Sequence, residues 1–250
     1  MKILFIGDIF GKAGRDALKK VLPELMKKEK TDFVFANAEN AAGGKGITPE
    51  IAKEIFSYGV DGITLGDHVF DRKEVVPLLE DKRIVRPLNL PPGNPGRGVS
   101  FFEKNELRVA LVSLLGRTFI DRVLDCPFQA ISKQEFDIPT VVDMHAETTS
   151  EKIAMKWFLA GKVSALIGTH THIQTNDEEI VSGTAYITDC GMTGPYDSVI
   201  GVDKNVILKR FLTGFPARFE PARGDVRFCG VIFEIQGTQA THIKKINIKL

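Results

Sequence analysis

The sequence predicts an α/β fold built on a largely parallel sheet, with a second, mixed or antiparallel sheet towards the carboxyl end. The first observation is that short apolar runs alternate with helix-like segments over residues 1–170. The second is that the runs after Glu179 follow one another with a single helix-like segment between them. A chain of 250 residues can bury a large core, so we expect residues 1–250 to fold as a single domain.

Strand and helix alternate four times from the amino terminus. In the first pair, KILFIGD is a β-rich apolar run, and the segment after it places Leu18, Leu22 and Leu25 at helical spacing. The later strands of such pairs are FVFANA, GITLG and TVVDM, and ALIGT is one more buried strand. The predicted helices cover residues 15–30, 51–58, 73–80 and 152–160.

The last third of the chain consists mainly of strands. The predicted strands are EEIVSG, AYITDC, VRFCGVIFEI and HIKKINIKL, with one helix over residues 203–212. Earlier in the chain, RPLNLPPGNPGRG at residues 86–98 is predicted to be a loop. Its prolines lack the amide that a β-ladder needs, and its glycines favour turns.

Composition excludes several classes of protein. The formal net charge of +1 provides no basic surface for extended nucleic acid, so we expect no long duplex partner. No apolar run approaches the roughly 20 residues that span a bilayer, and the first strand meets Asp8 too early for a signal peptide. Three widely spaced cysteines fit neither a disulfide framework nor a zinc knuckle. We therefore expect a cytoplasmic protein with reduced thiols and no membrane partner.

Five of the predicted strands are followed immediately by residues of types that bind metals. In open α/β sheets ligands bind outside the carboxyl ends of the strands, so these side chains are expected to meet at one edge. Imidazoles and carboxylates without thiolates favour manganese, iron or zinc over a structural zinc finger or a calcium cage. The candidates are Asp8, Glu39, Asn40, Asp67, His68, His145, His170 and His172.

Each candidate alone also has an ordinary structural explanation. Asp8 is of a type that often occupies turns, Glu39 and Asn40 can orient a glycine turn, and a single histidine such as His145 is commonly an interior or surface residue. However, four of the five histidines lie at strand ends, all but His242. Independent structural explanations for all of them are improbable, so the sequence predicts a metal centre.

In order and spacing, GDIF, NAEN, GDH, DMHAE and GTHTH resemble the metal-binding motifs of the calcineurin-like metallophosphoesterases. The stretch GTAYITDCGMTGPYDSVIG at residues 183–201 is similar to the bacterial 2′,3′-cyclic nucleotide phosphodiesterase subgroup, which extends the resemblance to nearly the whole chain. This resemblance implies a two-sheet mixed β-sandwich flanked by helices. It also implies a dinuclear metal centre that hydrolyses small phosphodiesters, with 2′,3′-cyclic nucleotides as the subgroup's substrates.

The resemblance also implies a role for each residue. Two divalent transition-metal ions, iron or manganese foremost and zinc as an alternative, would share Glu39 as a bridge. His68 would be the general acid that protonates the leaving alkoxide, with Asp71 orienting it; the alternatives are a scaffolding role for His68 and a helix-entry role for Asp71. The remaining ligands would be Asp8, Asn40 and His172 for the first metal, and Asp67, His145 and His170 for the second.

Two residues depart from the superfamily pattern. Phe10 stands where most members carry a histidine, a feature the subgroup shares, and the resemblance implies that Asn40 replaces that ligand. Asp67 stands where an asparagine is usual. An aspartate adds charge and only accepts hydrogen bonds, so it should hold the second metal more firmly, lower its Lewis acidity and repel an incoming phosphate oxygen.

Other functions stay open at the level of sequence. One is a metal-binding regulatory protein with weak catalysis that binds nucleotide or RNA ends; another is a phosphomonoesterase or nucleotidase on the same centre. The fold also permits a homo-oligomer. Lys45 is expected to be solvated, Thr148 and Glu151 to form a capping box, and Tyr196 either to line the pocket or to lie in a plain turn.

Overall fold

The computed structural model of the chain describes residues 1–250. The strands are β1 Lys2–Ile6, β2 Asp8–Ile9, β3 Phe33–Asn37, β4 Gly62–Thr64, β5 Ile84–Val85, β6 Val99–Lys104, β7 Leu107–Leu115, β8 Thr140–His145, β9 Ala165–Thr169, β10 Glu179–Val181, β11 Thr184–Ile187, β12 Met192–Pro195, β13 Val226–Gln236 and β14 Gln239–Lys249. The helices are α1 Gly11–Glu29, α2 Pro49–Ser57, α3 Val75–Leu78, α4 Pro127–Ser132, α5 Thr149–Leu159 and α6 Lys204–Thr213. No helix has both the length and the apolar composition needed to cross a bilayer.

The strands form two mixed sheets. The first has the order β2-β12-β13-β1-β3-β4-β5, with β14 beside β13, and its strands β1, β3, β4 and β5 are parallel. The second has the order β10-β11-β9-β8-β7-β6, and its strands β7, β8, β9 and β11 are parallel. These sheets and the helices around them confirm the predicted α/β sandwich.

Side chains of the central strands point alternately to the two faces of the sheet, and both faces are buried. This explains why these strands appear in the sequence as continuous apolar runs. In β1, Phe5 points between the sheets, where it shares a core cluster with Phe35 of β3 and Ile167 of β9. Leu4 points the other way and joins the core cluster that includes Leu18 of α1. Because a parallel strand in the middle of such layers is buried on both faces, neither set of side chains is polar.

The prediction that the late strands form a sheet of their own was wrong. β13 and β14 extend the first sheet, where Val231 lies opposite Phe5, whereas β10 and β11 extend the second. A strand's sequence indicates which of its faces are buried. It does not indicate which of several equally apolar strands will pair with it. Sequence reasoning also missed the antiparallel pair β6 and β7. The third predicted helix is reduced to the single turn of α3 around Pro77.

The start of α5 differs from the predicted capping box. Thr148 is the residue before the helix, but its side chain makes no capping hydrogen bond. The carboxylate of Glu151 instead accepts hydrogen bonds from the backbone amides of Arg117 and Thr118, at 3.0 and 3.1 Å. Glu151 therefore ties the loop after β7 to α5.

Candidate metal centre

The predicted ligands lie at the carboxyl ends of strands in both sheets. In the first sheet Asp8 follows β1, Glu39 and Asn40 follow β3, and Asp67 follows β4. In the second sheet His145 ends β8, and two histidines, 170 and 172, follow the adjacent parallel strand β9. The two sheets bring these strand ends to one edge of the sandwich, which is where open parallel sheets bind ligands.

Four of these side chains form a compact cluster. Nε2 of His145 lies 2.9 Å from Oε1 of Glu39 and 3.2 Å from Oδ1 of Asp67, and Nδ1 of His170 lies 3.3 Å from that same Asp67 oxygen. The two ring nitrogens of the histidines are 3.0 Å apart. All four ligand atoms lie within 4.8 Å of one another, which suits one borderline transition-metal ion. These are the four residues that the family resemblance assigned to the second metal.

The residues assigned to the first metal surround a second place that suits a cation. Nδ1 of His172 donates to the carbonyl of Ile200 at 2.9 Å, which leaves the lone pair of Nε2 pointing at Oδ1 of Asn40, 3.4 Å away. The Asn40 amide donates to the carbonyl of Gly44, so its oxygen, also an acceptor, faces the ring. Oδ1 of Asp8 is buried and has no hydrogen-bond partner. Facing acceptors and an unpaired buried carboxylate oxygen are the surroundings that a metal ion would satisfy.

Charge within the cluster follows from these contacts. Although burial acts in the opposite direction, hydrogen bonds from His145 and His170 hold the pKa of Asp67 below its usual range. Burial tends to lower the pKa of His145, but the charge of Glu39 and the nearby carboxylates raise it well above its usual range. For Asp8, burial raises the pKa of the carboxyl group. The carboxylates thus attract positive charge to the same small volume.

A hydrogen-bond chain behind His145 fixes its ring. The hydroxyl of Thr169 donates to Oδ1 of Asp143 at 2.6 Å and lies 2.7 Å from Nδ1 of His145, which therefore carries the proton. Nε2 is left facing the cluster. Asp143 is fully buried and also accepts from Thr64 and Asn37, and burial raises its pKa to about 6. Sequence reasoning missed Asp143; a carboxylate inside an apolar strand, two residues before a ligand, was the available signal.

A buried ion pair holds the loop that carries His170 and His172. Both histidines have positive φ, 96° and 65°, a conformation that costs free energy for a residue other than glycine. Between them, the amide and hydroxyl of Thr171 donate to Oδ2 of Asp189 at 3.0 and 2.7 Å. Nζ of Lys152, on α5, lies 2.8 Å from the same oxygen and donates to the carbonyl of Thr169. Lys152 and Asp189 were also missed, because nothing in either local sequence marks the pairing.

His68 lies beside the cluster rather than in it. Its backbone amide donates to Oε2 of Glu39 at 2.9 Å, and its Nδ1 lies 3.0 Å from Oδ2 of Asp71, the contact that an orienting role for Asp71 requires. Arg122 donates to the other oxygen of Asp71 at 2.7 Å. The His68 side chain lines a cavity of about 710 Å³ that is also bounded by His172. We call this space the catalytic cavity.

Three further residues lie near the site or were expected there, and two of them, Lys45 and Tyr196, were discussed from sequence. Lys45 is exposed and lies on the wall of the catalytic cavity. Tyr196 does not line that cavity, since its hydroxyl lies 3.2 Å from Sγ of Cys229. Glu147, which sequence reasoning did not single out, lies 2.9 Å from Nε2 of His170 and so leaves Nδ1 of that ring facing the cluster.

Comparison with known proteins gives consistent relatives over the full chain. A family model described as YmdB-like protein matches residues 4–246. The chain is 45% identical to a 2′,3′-cyclic-nucleotide 2′-phosphodiesterase of Bacillus subtilis, with 99% of the chain and 97% of that relative covered. It is 37% identical to a putative phosphatase/phosphodiesterase of Mycoplasma genitalium, covering 100% of the chain and 94% of the relative.

Solved structures agree with the sequence relatives. The TM-score is 0.94 against both a hypothetical protein of Thermus thermophilus, 41% identical, and a novel phosphatase of Mycoplasma pneumoniae, 36% identical. These two matches cover 100% of this chain, and 99% and 93% of the respective relatives. A putative 5′-nucleotidase of Staphylococcus aureus matches at a TM-score of 0.60 and 14% identity, over 98% of this chain and 54% of its own length. That last match shows a shared fold.

Proposed function

Because the chain belongs to the YmdB-like family, we propose that it is a metal-dependent phosphodiesterase that hydrolyses small phosphodiesters, in particular 2′,3′-cyclic nucleotides. The observation that carries this proposal is the cluster of four metal-binding side chains beside a cavity large enough for a nucleotide. The substrate class comes from the Bacillus subtilis relative, whose name specifies 2′,3′-cyclic nucleotides.

The proposed metal ligands form two sets that share Glu39. Asp67, His145 and His170 complete one set, and Asp8, Asn40 and His172 complete the other. The chemistry that a pair of such ions supplies is activation of water and neutralisation of charge on the phosphodiester during in-line displacement. Imidazole and carboxylate donors without a thiolate support iron or manganese, with zinc as an alternative. Three cysteines without disulfides support a cytoplasmic location.

His68 is the proposed general acid. Its Nδ1 lies 3.0 Å from the carboxylate of Asp71, which orients the ring, and its Nε2 makes no hydrogen bond within the protein. Nε2 can therefore donate its proton to the ribose oxygen as the bond from phosphorus to that oxygen breaks. Arg122 holds Asp71 from its far side and so keeps the carboxylate directed at the ring.

The remaining residues of the site act by position. The chain from Asp143 through Thr169 presents Nε2 of His145 to the cluster, and Glu147 leaves Nδ1 of His170 facing the same point. Asp67 contributes a full negative charge beside both rings. We infer that this charge strengthens metal binding and weakens the attraction for a phosphate oxygen, so turnover is slower than an asparagine would allow.

The test is hydrolysis of 2′,3′-cyclic AMP, 3′,5′-cyclic AMP, bis-p-nitrophenyl phosphate and AMP after loading with manganese or iron. Metal content is counted on the same sample. We expect turnover of the diesters with about two metals per chain. His68→Ala should lower kcat about 10²–10⁴-fold without loss of metal, the range for a general acid. His242→Ala, an exposed histidine on β14, is the matched control and should have no effect.

Two outcomes would replace the proposal. Full metal loading without diester hydrolysis, even in an Asp67→Asn variant, would favour a regulatory protein that binds nucleotide or RNA ends. Faster hydrolysis of AMP than of any diester would favour a phosphomonoesterase on the same centre.

A further inference from the structure

A second cavity adjoins the catalytic cavity. It has a volume of about 1000 Å³ and lies beside α1, the start of α2 and the segment 221–226. The two cavities share part of their walls at Gly43, Arg72 and Pro221. Ligand pockets in proteins commonly measure about 300–1000 Å³, and the catalytic cavity alone falls within this range. The combined space is thus larger than a single mononucleotide requires.

The second cavity has a strongly basic lining. Its one acidic side chain, Asp16, is paired with Lys12 at 2.6 Å. No aromatic side chain lines this space. The five cations on its wall are Lys12, Arg15, Lys20, Arg72 and Arg223.

Several of these cations have no carboxylate partner. Arg15 is paired with Glu54 at 2.9 Å, but Lys20 and Arg223 form no ion pair. Arg72 donates only to backbone carbonyls, at 2.8 and 3.1 Å, and so keeps an uncompensated charge on the shared wall.

The basic lining continues into the catalytic cavity. Lys45 and Arg218 line that cavity, and neither forms an ion pair; Glu220 is the acidic side chain on the same wall. The whole chain has a net charge of only +1, so this grouping is a local feature. Lysine and arginine side chains without partners, facing a common groove, are suited to bind phosphate groups.

We propose that the second cavity binds the backbone phosphates of a short oligonucleotide whose 3′ end, a 2′,3′-cyclic phosphate, occupies the catalytic cavity. This inference rests on the proposed phosphodiesterase function. The 5′ oxygen of the terminal nucleoside carries the preceding phosphate, and Arg72 lies on the wall between the two spaces, where it can contact that phosphate. The substrate class is thus RNA fragments with cyclic phosphate ends, in addition to free cyclic mononucleotides.

The two cavities should contact different parts of the ligand. Phe10 and Phe219 line the catalytic cavity and can contact the terminal base, whereas the second cavity has cations and no aromatic ring. Upstream nucleotides are therefore held through phosphates, with no preference among bases. Since the unpaired cations line these two adjoining cavities, the gain in affinity should stop after two or three nucleotides.

The experiment compares KM and kcat for 2′,3′-cyclic AMP with those for adenosine di-, tri- and hexanucleotides that end in 2′,3′-cyclic phosphate. We expect KM to fall about tenfold from mononucleotide to trinucleotide and to change little for the hexanucleotide. Raising the salt concentration should weaken the trinucleotide selectively, with a slope of about 0.7 per phosphate contact on a double logarithmic plot.

A variant that removes two of the unpaired cations tests the second cavity separately. Lys20→Ala combined with Arg223→Ala should raise KM for the trinucleotide towards that of the mononucleotide and leave kcat/KM for the mononucleotide unchanged. Lys19→Ala is the matched control, because Lys19 is the neighbouring exposed lysine on α1 and does not line the cavity. An equal effect of the double variant on both substrates, or equal KM values for all lengths, would overturn the inference.

Failure of the proposed function would look different. If no diester is hydrolysed, the phosphodiesterase proposal fails, and binding of a fluorescent trinucleotide with an uncleavable 3′-phosphate still tests the second cavity. The second cavity would be supported as a phosphate-binding site if the trinucleotide binds more tightly than a labelled mononucleotide. The double variant, but not Lys19→Ala, should then weaken binding of the trinucleotide. Equal affinities for the two ligands would overturn the inference.

Discussion

Replacement of Lys152 by methionine is expected to destabilise the protein strongly and to loosen the loop that carries two of the proposed metal ligands. The ammonium group of Lys152 is fully buried and contacts Oδ2 of Asp189 at 2.8 Å and the carbonyl of Thr169 at 2.6 Å. Methionine preserves most of the side-chain volume and removes the charge. Asp189, also fully buried, keeps its hydrogen bonds from Thr171 and Gly191 but loses its counter-ion.

The expected magnitude follows from this burial. Removing one partner of a buried ion pair costs about 3–5 kcal/mol, because the remaining charge stays in a medium that solvates it poorly. For a domain of this size, each kcal/mol lowers Tm by about 2–4 °C, so the drop in Tm should be roughly 6–20 °C. Loss of the charge also frees the carbonyl of Thr169, which precedes the strained backbone at His170.

The assay is urea unfolding in the presence of a chelator, so that metal binding does not contribute to the free energy of unfolding. Metal content after reloading is measured on the native samples, and it should fall in the Lys152→Met variant. Lys156→Met is the control, since Lys156 lies one turn further along α5 and pairs at 2.8 Å with Glu179, which is half exposed. Because Glu179 is half exposed to solvent, this pair should contribute only about 0.2–1 kcal/mol. Equal free-energy losses in the two variants would refute the reasoning.

Three further predictions concern the site and the thiols. Asp67→Asn removes one negative charge beside the cluster, so we expect higher kcat and weaker metal binding, measured by turnover and by metal titration; a fall in both would contradict this account. Gly66→Ala places a methyl group against the ring of His145 and the carboxylate of its neighbour Glu39, so metal content should fall to near zero, whereas Gly224→Ala, with milder contacts, should retain it. Burial raises the pKa of two of the three cysteines, to about 11 in one of them, so a thiol reagent should label only half-buried Cys126 in the native protein and all three after denaturation. More than one labelled thiol in the native state would show that the core opens.

The ends of the strands were easier to predict from the sequence than the pairing of the strands. A proposed ligand such as His145 stands directly after an apolar run, and such a change of polarity can be seen in the sequence alone. The sequence does not show which strands pair with each other, which is why β13 was predicted to lie in the wrong sheet. The same limit applies to Lys152 and Asp189, because a contact between residues 37 positions apart leaves no local pattern.

The site depends on the packing of the two sheets, since each sheet supplies half of the clustered ligands. Asp143 connects the two halves, because this carboxylate on β8 accepts hydrogen bonds from Asn37 of β3 at 3.0 Å and Thr64 of β4 at 2.6 Å, both in the opposite sheet. The same carboxylate accepts from Thr169 and through it orients His145. Burial of a carboxyl group is costly unless its oxygens are satisfied, and here three donors satisfy them. The hydrogen bonds that join the sheets therefore also orient the His145 ring towards the cluster, so a change that separates the sheets would misdirect this ring before it unfolded the protein.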